Sequence, residues 1–259
     1  MELSRQSLLA AEVGVGYVVA TSPRSGSWLL CELLGSTGIA GRPGEYGARE
    51  DAATWRGHYG YSSHAEYFFR FAALMTTANG VFGAKLMWPQ WSSLGRDARR
   101  YLGREPEAFT LLDSLAGPLR MLRLRRLDTV RQAVSLARAQ QTGQWSLRHG
   151  EIPRGEAGTY DAEAVRAAHA ALRWQNAEWD RELRRLAVPV LDLEYEALAV
   201  DPEGTLRAVL EFLELPYRGR FRPPTLRRQA DARTEDWVSR ARADLARAAD
   251  GSRMTEVDS

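Results

Sequence analysis

The chain has 259 residues, 44% of them hydrophobic and 26% charged, with a formal net charge of +2. Those fractions are ordinary for a globular protein and exclude a disordered, collagenous or coiled-coil chain; the small net charge argues against a dedicated nucleic-acid binder. The length fits one α/β domain with a sizeable core, and no stretch approaches the roughly 18 consecutive apolar residues of a membrane span.

The residues after Met1 lack the long apolar core of a secretory signal, so a cytoplasmic protein is expected. One cysteine, Cys31, makes no internal disulfide and no zinc site, and the four His are scattered, so no metal is expected. The basic residues are 34 Arg and a single Lys, Lys85. That bias replaces lysine at ordinary surface positions and singles out Lys85, because an ammonium is a compact, movable charge where a guanidinium is a planar fork.

In chain order, residues 16–20 form a short β-rich run, residues 21–27 a cluster of turn formers, and residues 28–34 a helix ended by Gly35 and Gly38. Residues 81–88 form a second apolar run, stopped by Pro89. Residues 119–125 read as strand, because a helix opening at the acidic cap Asp128 follows and runs to Gln141. A long helix is expected over 162–186, a strand over 188–193 and a helix over 202–213, after Asp201. Strands alternating with helices predict a parallel sheet covered on both faces in a single domain, 1–259.

The strand–loop–helix over 17–34 carries the first chemical signal. Helix-start N–H groups are unpaired and sit at the positive end of the helix dipole. Gly26 permits close approach of a ligand, Ser25 and Ser27 supply hydroxyls and Arg24 a full charge, which together suit an anion. An ordinary turn capped by Ser25 or Ser27 satisfies the same residues. The loop lacks the first Gly and the Lys of a nucleotide-hydrolysing P-loop, and Asp192 after an apolar run is only a weak imitation of a magnesium ligand. An ATP-dependent small-molecule kinase and a non-catalytic nucleotide-binding regulator remain the alternatives.

Residues 23–27, Pro-Arg-Ser-Gly-Ser after a strand, resemble the 5′-phosphosulfate loop of sulfotransferases that use 3′-phosphoadenosine 5′-phosphosulfate (PAPS). Further blocks resemble the bacterial trehalose 2-sulfotransferase family: 37–46 with Glu45 before an aromatic residue, 80–88 with Lys85, 126–142 with Gln132-Ala133-Val134-Ser135, and 229–238 with Arg233. The resemblance implies a P-loop-like three-layer α/β fold and transfer of a sulfuryl group from PAPS, without a metal, to a hydroxyl of a small molecule. It implies a homodimer as well, with a donor loop near 21–28, an acceptor region near 42–75 and an extended donor-covering segment near 225–240.

The resemblance also implies roles. Glu45 is the base that takes the acceptor's proton and Lys85 neutralises charge on the sulfuryl oxygens or the leaving phosphate. Arg24, Ser25, Gly26, Ser27 and the backbone of Trp28 hold the 5′-phosphosulfate, Arg126 and Ser135 the 3′-phosphate, and Arg233 contacts the donor. On the residues alone, Glu45 also reads as a surface acid with His58 and His64 as rival bases, and Lys85 as a lysine leaving a strand end for solvent. Arg126 reads equally as a solvated charge among Arg123, Arg125 and Arg131. The aromatic residues Trp55, Tyr59, Tyr61, Tyr67, Phe68 and Phe69 suit an acceptor pocket or packing under a loop.

Three departures stand out, one in the donor loop and two on the acceptor side. Trp28 stands where sulfotransferases commonly carry a hydroxyl residue, Pro23 where trehalose-specific members have Gln, and the stretch between Tyr46 and Gly80 is short. A larger glycosylated or aromatic acceptor is expected in place of trehalose.

Overall fold

The segment Val15–Thr21 is dense in β-branched and aromatic residues and forms strand β1; Val81–Met87, Leu119–Arg125 and Val190–Glu194 form β2, β3 and β4. The four lie parallel in the order β2-β1-β3-β4, with Val19 opposite Lys85 on one side of β1 and Leu122 on the other. Helices are α1 Ser27–Ser36, α2 Trp88–Leu102, α3 Ala108–Ala116, α4 Thr129–Thr142, α5 Ala162–Leu186, α6 Tyr195–Val200, α7 Pro202–Phe212 and α8 Ala232–Val257. This computed structural model describes residues 14–44, 72–102, 105, 107–152, 158–227 and 229–257.

The described residues sort into two compact units. The first takes those within Met1–Ser22, Gly26–Arg125 and Gln175–Pro223, and the second those within Pro23–Ser25, Arg126–Trp174 and Pro224–Ser259.

The first unit contains the whole sheet. Side chains alternate across a strand: Tyr17, Val19, Leu122 and Leu124 bury against Leu30, Leu33 and Leu34 of α1, Leu198 of α6 and Leu206, Val209 and Leu210 of α7. Val18, Ala20, Leu119 and Met121 bury on the opposite face, against Trp91 of α2, Leu112 of α3 and Trp179 and Leu183 of α5. A sheet buried on both faces needs near-continuous apolar strands, and its layers are helix, sheet and helix, a P-loop-like three-layer α/β fold.

In the second unit, α4 opens at Asp128, whose carboxylate accepts the Arg131 N–H at 2.9 Å. Its apolar stripe, Ala133, Val134, Leu136 and Ala137, packs on Val165, Ala168 and Leu172 of α5 and on Trp237, Val238 and Ala241 of α8. Pro89, expected to stop the second apolar run, instead occupies the second position of α2, directly after β2. A helix start tolerates proline because that N–H has no partner within the helix.

Candidate functional site

The turn after β1 is where the expected chemistry lies. In the second unit, the Pro23 carbonyl accepts the Gln132 side-chain N–H at 2.6 Å and the Arg24 carbonyl accepts Arg126 Nη1 at 3.2 Å. A trans peptide directs its N–H opposite to its C=O. Tying back these two carbonyls therefore turns the N–H groups of Arg24 and Ser25 away from Gln132 and Arg126. Arg24 itself sits at φ 63°, a left-handed conformation unusual for a residue with a side chain. Its guanidinium offsets that strain by donating to Ser135 Oγ at 2.9 Å, to Gln229 Oε1 at 3.1 Å and to the Trp145 carbonyl.

Arg126 is 9% exposed, so the expectation of a solvated charge among neighbouring arginines does not hold. Arg123, in β3 of the first unit, is more deeply buried, at 1%. Arg123 donates to Asp180 Oδ1 at 3.2 Å and to Asn176 Oδ1 at 3.1 Å; the same Asn176 oxygen accepts Ser22 Oγ at 3.2 Å. Trp179 Nε1 donates to the Thr21 carbonyl at 2.8 Å. Asn176 and Trp179 of α5 thus fix the end of β1, while Asp180 holds Arg123 of β3. Burial lowers the Arg123 pKa, and the Asp180 charge and hydrogen bond oppose that shift.

Also in the first unit, Gly26 caps α1 with φ 82° and lies against the Tyr195 ring, at the start of α6. Lys85 is fully buried, which excludes the alternative of a lysine running out to solvent. Its Nζ lies 4.1 Å from the centroid of the Trp28 ring, and its backbone N–H donates to the Gly44 carbonyl at 3.3 Å. Ser25 and Ser27 are buried as well.

The expected site residues therefore form two groups. Arg24, Arg126 and Ser135 are linked in the second unit, where Ser25 also lies, and Gly26, Ser27, Trp28 and Lys85 gather around the start of α1 in the first. Arg233 is exposed and donates to the Gly158 carbonyl at 3.5 Å. Glu45, the rival bases His58 and His64 and the aromatic cluster from Trp55 to Phe69 lie outside the described residues. Asp192, the weak metal-ligand imitation, accepts Arg125 Nη2 at 2.9 Å. Among the described residues no group of three or more His, Cys, Asp or Glu could hold a metal ion, and no helix is long and apolar enough to cross a membrane.

Gln132, Gln229, Asn176 and Arg123 were not singled out from the sequence for these contacts. Gln132 and Gln229 fall inside blocks that carried the resemblance, which is the signal that was available for them. Asn176 and Arg123 have no motif.

A parallel sheet with helices on both faces, whose first strand enters a tight turn and a glycine-capped helix, defines a P-loop-like α/β protein with that turn at its ligand edge. Residues 16–244 match the Stf0 sulphotransferase family, and the chain belongs to it. The chain is 31% identical over 258 residues to the trehalose 2-sulfotransferase of Mycolicibacterium smegmatis, covering 89% of this chain and 96% of that protein. It is 28% identical over 270 residues to the trehalose 2-sulfotransferase of Mycobacterium tuberculosis, with the same two coverages, 89% and 96%. Among solved structures, a sulfotransferase from Alicyclobacillus acidocaldarius aligns with a TM-score of 0.46 at 14% identity, over 92% of this chain and 94% of that one. The sulfotransferase domain of the Synechococcus PCC 7002 olefin synthase aligns with a TM-score of 0.43 at 17% identity, over 80% and 75%.

Proposed function

We propose that the chain is a single-domain sulfotransferase that moves a sulfuryl group from PAPS to a hydroxyl of a small molecule, a sugar or a glycosylated or aromatic natural product. The observation that carries this reading is the turn after β1. Its carbonyls are tied back by Gln132 and Arg126, its glycine is left-handed at a helix start, and it lacks the lysine of an ATP-binding P-loop. Such a turn suits the 5′-phosphosulfate end of the donor.

Bound, the donor supplies the sulfuryl group and, as leaving group, adenosine 3′,5′-bisphosphate. Arg24 and the N–H groups from Ser25 to Trp28 hold the 5′-phosphate, while Arg126 and Ser135 hold the 3′-phosphate, with donor contact from Arg233. Glu45 takes the acceptor's hydroxyl proton as that oxygen bonds to sulfur and the bond from sulfur to the 5′-phosphate oxygen breaks. Lys85 neutralises the negative charge gathering on the sulfuryl oxygens and the departing phosphate. The single cysteine, Cys31, is buried and supports a reducing cytoplasm; the homodimer rests on the resemblance.

Calorimetry with adenosine 3′,5′-bisphosphate and, separately, ATP with magnesium tests the donor. Bisphosphate binding without ATP binding is expected, and the reverse result returns the kinase alternative. Bisphosphate binding with no transfer to any acceptor would favour the non-catalytic regulator. With isotopically labelled PAPS and a metabolite extract, the acceptor is expected to gain the mass of one SO₃, and trehalose, given Pro23, to stay unmodified. Glu45→Gln should lower turnover by roughly two to four orders of magnitude with bisphosphate affinity unchanged.

A further inference from the structure

Lys85 is the chain's one lysine among 34 arginines, and it is fully buried in β2. By alternation along β2 it points away from the face that carries Phe82, Ala84 and Leu86. Its Nζ rests 4.1 Å from the centroid of the Trp28 ring, while Trp28, the second residue of α1, is itself 44% exposed. An indole face is the strongest natural aromatic partner for a cation, and the attraction grows where water is excluded. An ammonium at the end of a flexible stem can rest on one ring. The contact gives the tryptophan a function at a position where a hydroxyl residue is usual.

We infer that Trp28 is a positioning residue: its ring holds the Lys85 ammonium at the start of α1, beside Gly26 and Ser27. The consequence for donor binding rests on the sulfotransferase reading above; the contact itself does not.

The lone lysine makes the test direct. Protein labelled with ¹³C-lysine gives one side-chain ε-CH₂ signal, and a ring this close displaces that signal upfield. In Trp28→Leu the displacement is expected to vanish, and in Trp28→Phe to persist in part. Affinity for adenosine 3′,5′-bisphosphate, measured by calorimetry on the same samples, is expected to fall roughly three- to tenfold in Trp28→Leu and to recover in Trp28→Phe. In a Lys85→Met background, Trp28→Leu should have no further effect on affinity, an outcome that a merely structural role for the ring does not produce. Circular dichroism confirms that each variant is folded. An ε-CH₂ signal indifferent to Trp28→Leu overturns the inference, as does an equal loss of affinity in the Lys85→Met background. A Trp28-dependent signal in a wild-type protein that binds no bisphosphate keeps Trp28 as the holder of Lys85 and overturns the donor reading instead.

Discussion

At Gly26 two requirements fall on one position. The backbone takes φ 82°, and a Cβ there would overlap the Tyr195 ring. The left-handed conformation alone disfavours a side chain by about 1–2 kcal/mol, and the overlap adds to it unless α6 shifts. Gly26→Ala should therefore lower thermal stability, and in a Tyr195→Ala background the further cost of Gly26→Ala should shrink to about 1–2 kcal/mol, the backbone part. Denaturant titration of the four proteins measures it, and an undiminished cost in the double variant would show that the ring is not the obstacle. The chemistry-bearing residues of this turn were legible as a motif because Arg, Gly and Ser are themselves the signal. Gln132 was not, since an amide that holds a backbone carbonyl has no sequence signature and acquires its role only when α4 folds. Arg123 was silent for a related reason: nothing local marks an arginine in an apolar strand as buried, and its partners Asn176 and Asp180 lie more than fifty residues later.

The docking of α8 on α4 is held by apolar contacts and by a row of arginines on α4. Arg138 makes two bonds to the Asp231 carboxylate, at 2.8 and 3.1 Å, and Arg131 pairs with Glu235. The Arg138 bonds hold the Asp231 carboxyl well below the usual range; burial opposes them, and the Thr234 N–H and hydroxyl add to them. Burial pushes Asp128 up, but the bonds from Arg131 and the charges of Arg242 and Arg131 outweigh it and its pKa is lowered too. Groups whose folded pKa is depressed contribute stability above their unfolded value, about 4, and lose it as pH falls through the folded one. Melting temperature should therefore drop as pH is lowered from about 5 to about 2.5, and Asp231→Asn, which keeps a capping oxygen for α8, should make that drop shallower. An acid slope unchanged in Asp231→Asn would place the pH dependence elsewhere. Among the elements, the strands and α5 were readable because their apolar pattern is strong, and α5 spans the expected residues 162–186. The helix α2 was hidden by Pro89, which marks a helix start as readily as a strand stop. The extent of α8 was hidden by its Ala, Arg and Asp content, in which a narrow apolar stripe gives little periodic signal.

Over the whole chain, the family match spans residues 16–244. Arginine supplies nearly all the positive charge, and the single lysine, Lys85, lies against the Trp28 ring. That arrangement leaves the folded protein almost without amine chemistry. Reagents that acylate amines should modify only the α-amino group of the native chain, giving a single-site conjugate that leaves the turn after β1 untouched. A lysine-specific protease should leave the native protein whole and cut the denatured one once, after Lys85, into two fragments separable by mass. Cleavage or acylation of Lys85 at native pH and temperature, at a rate near that of the denatured chain, would mean that β2 opens readily and that the ring does not hold its cation in place.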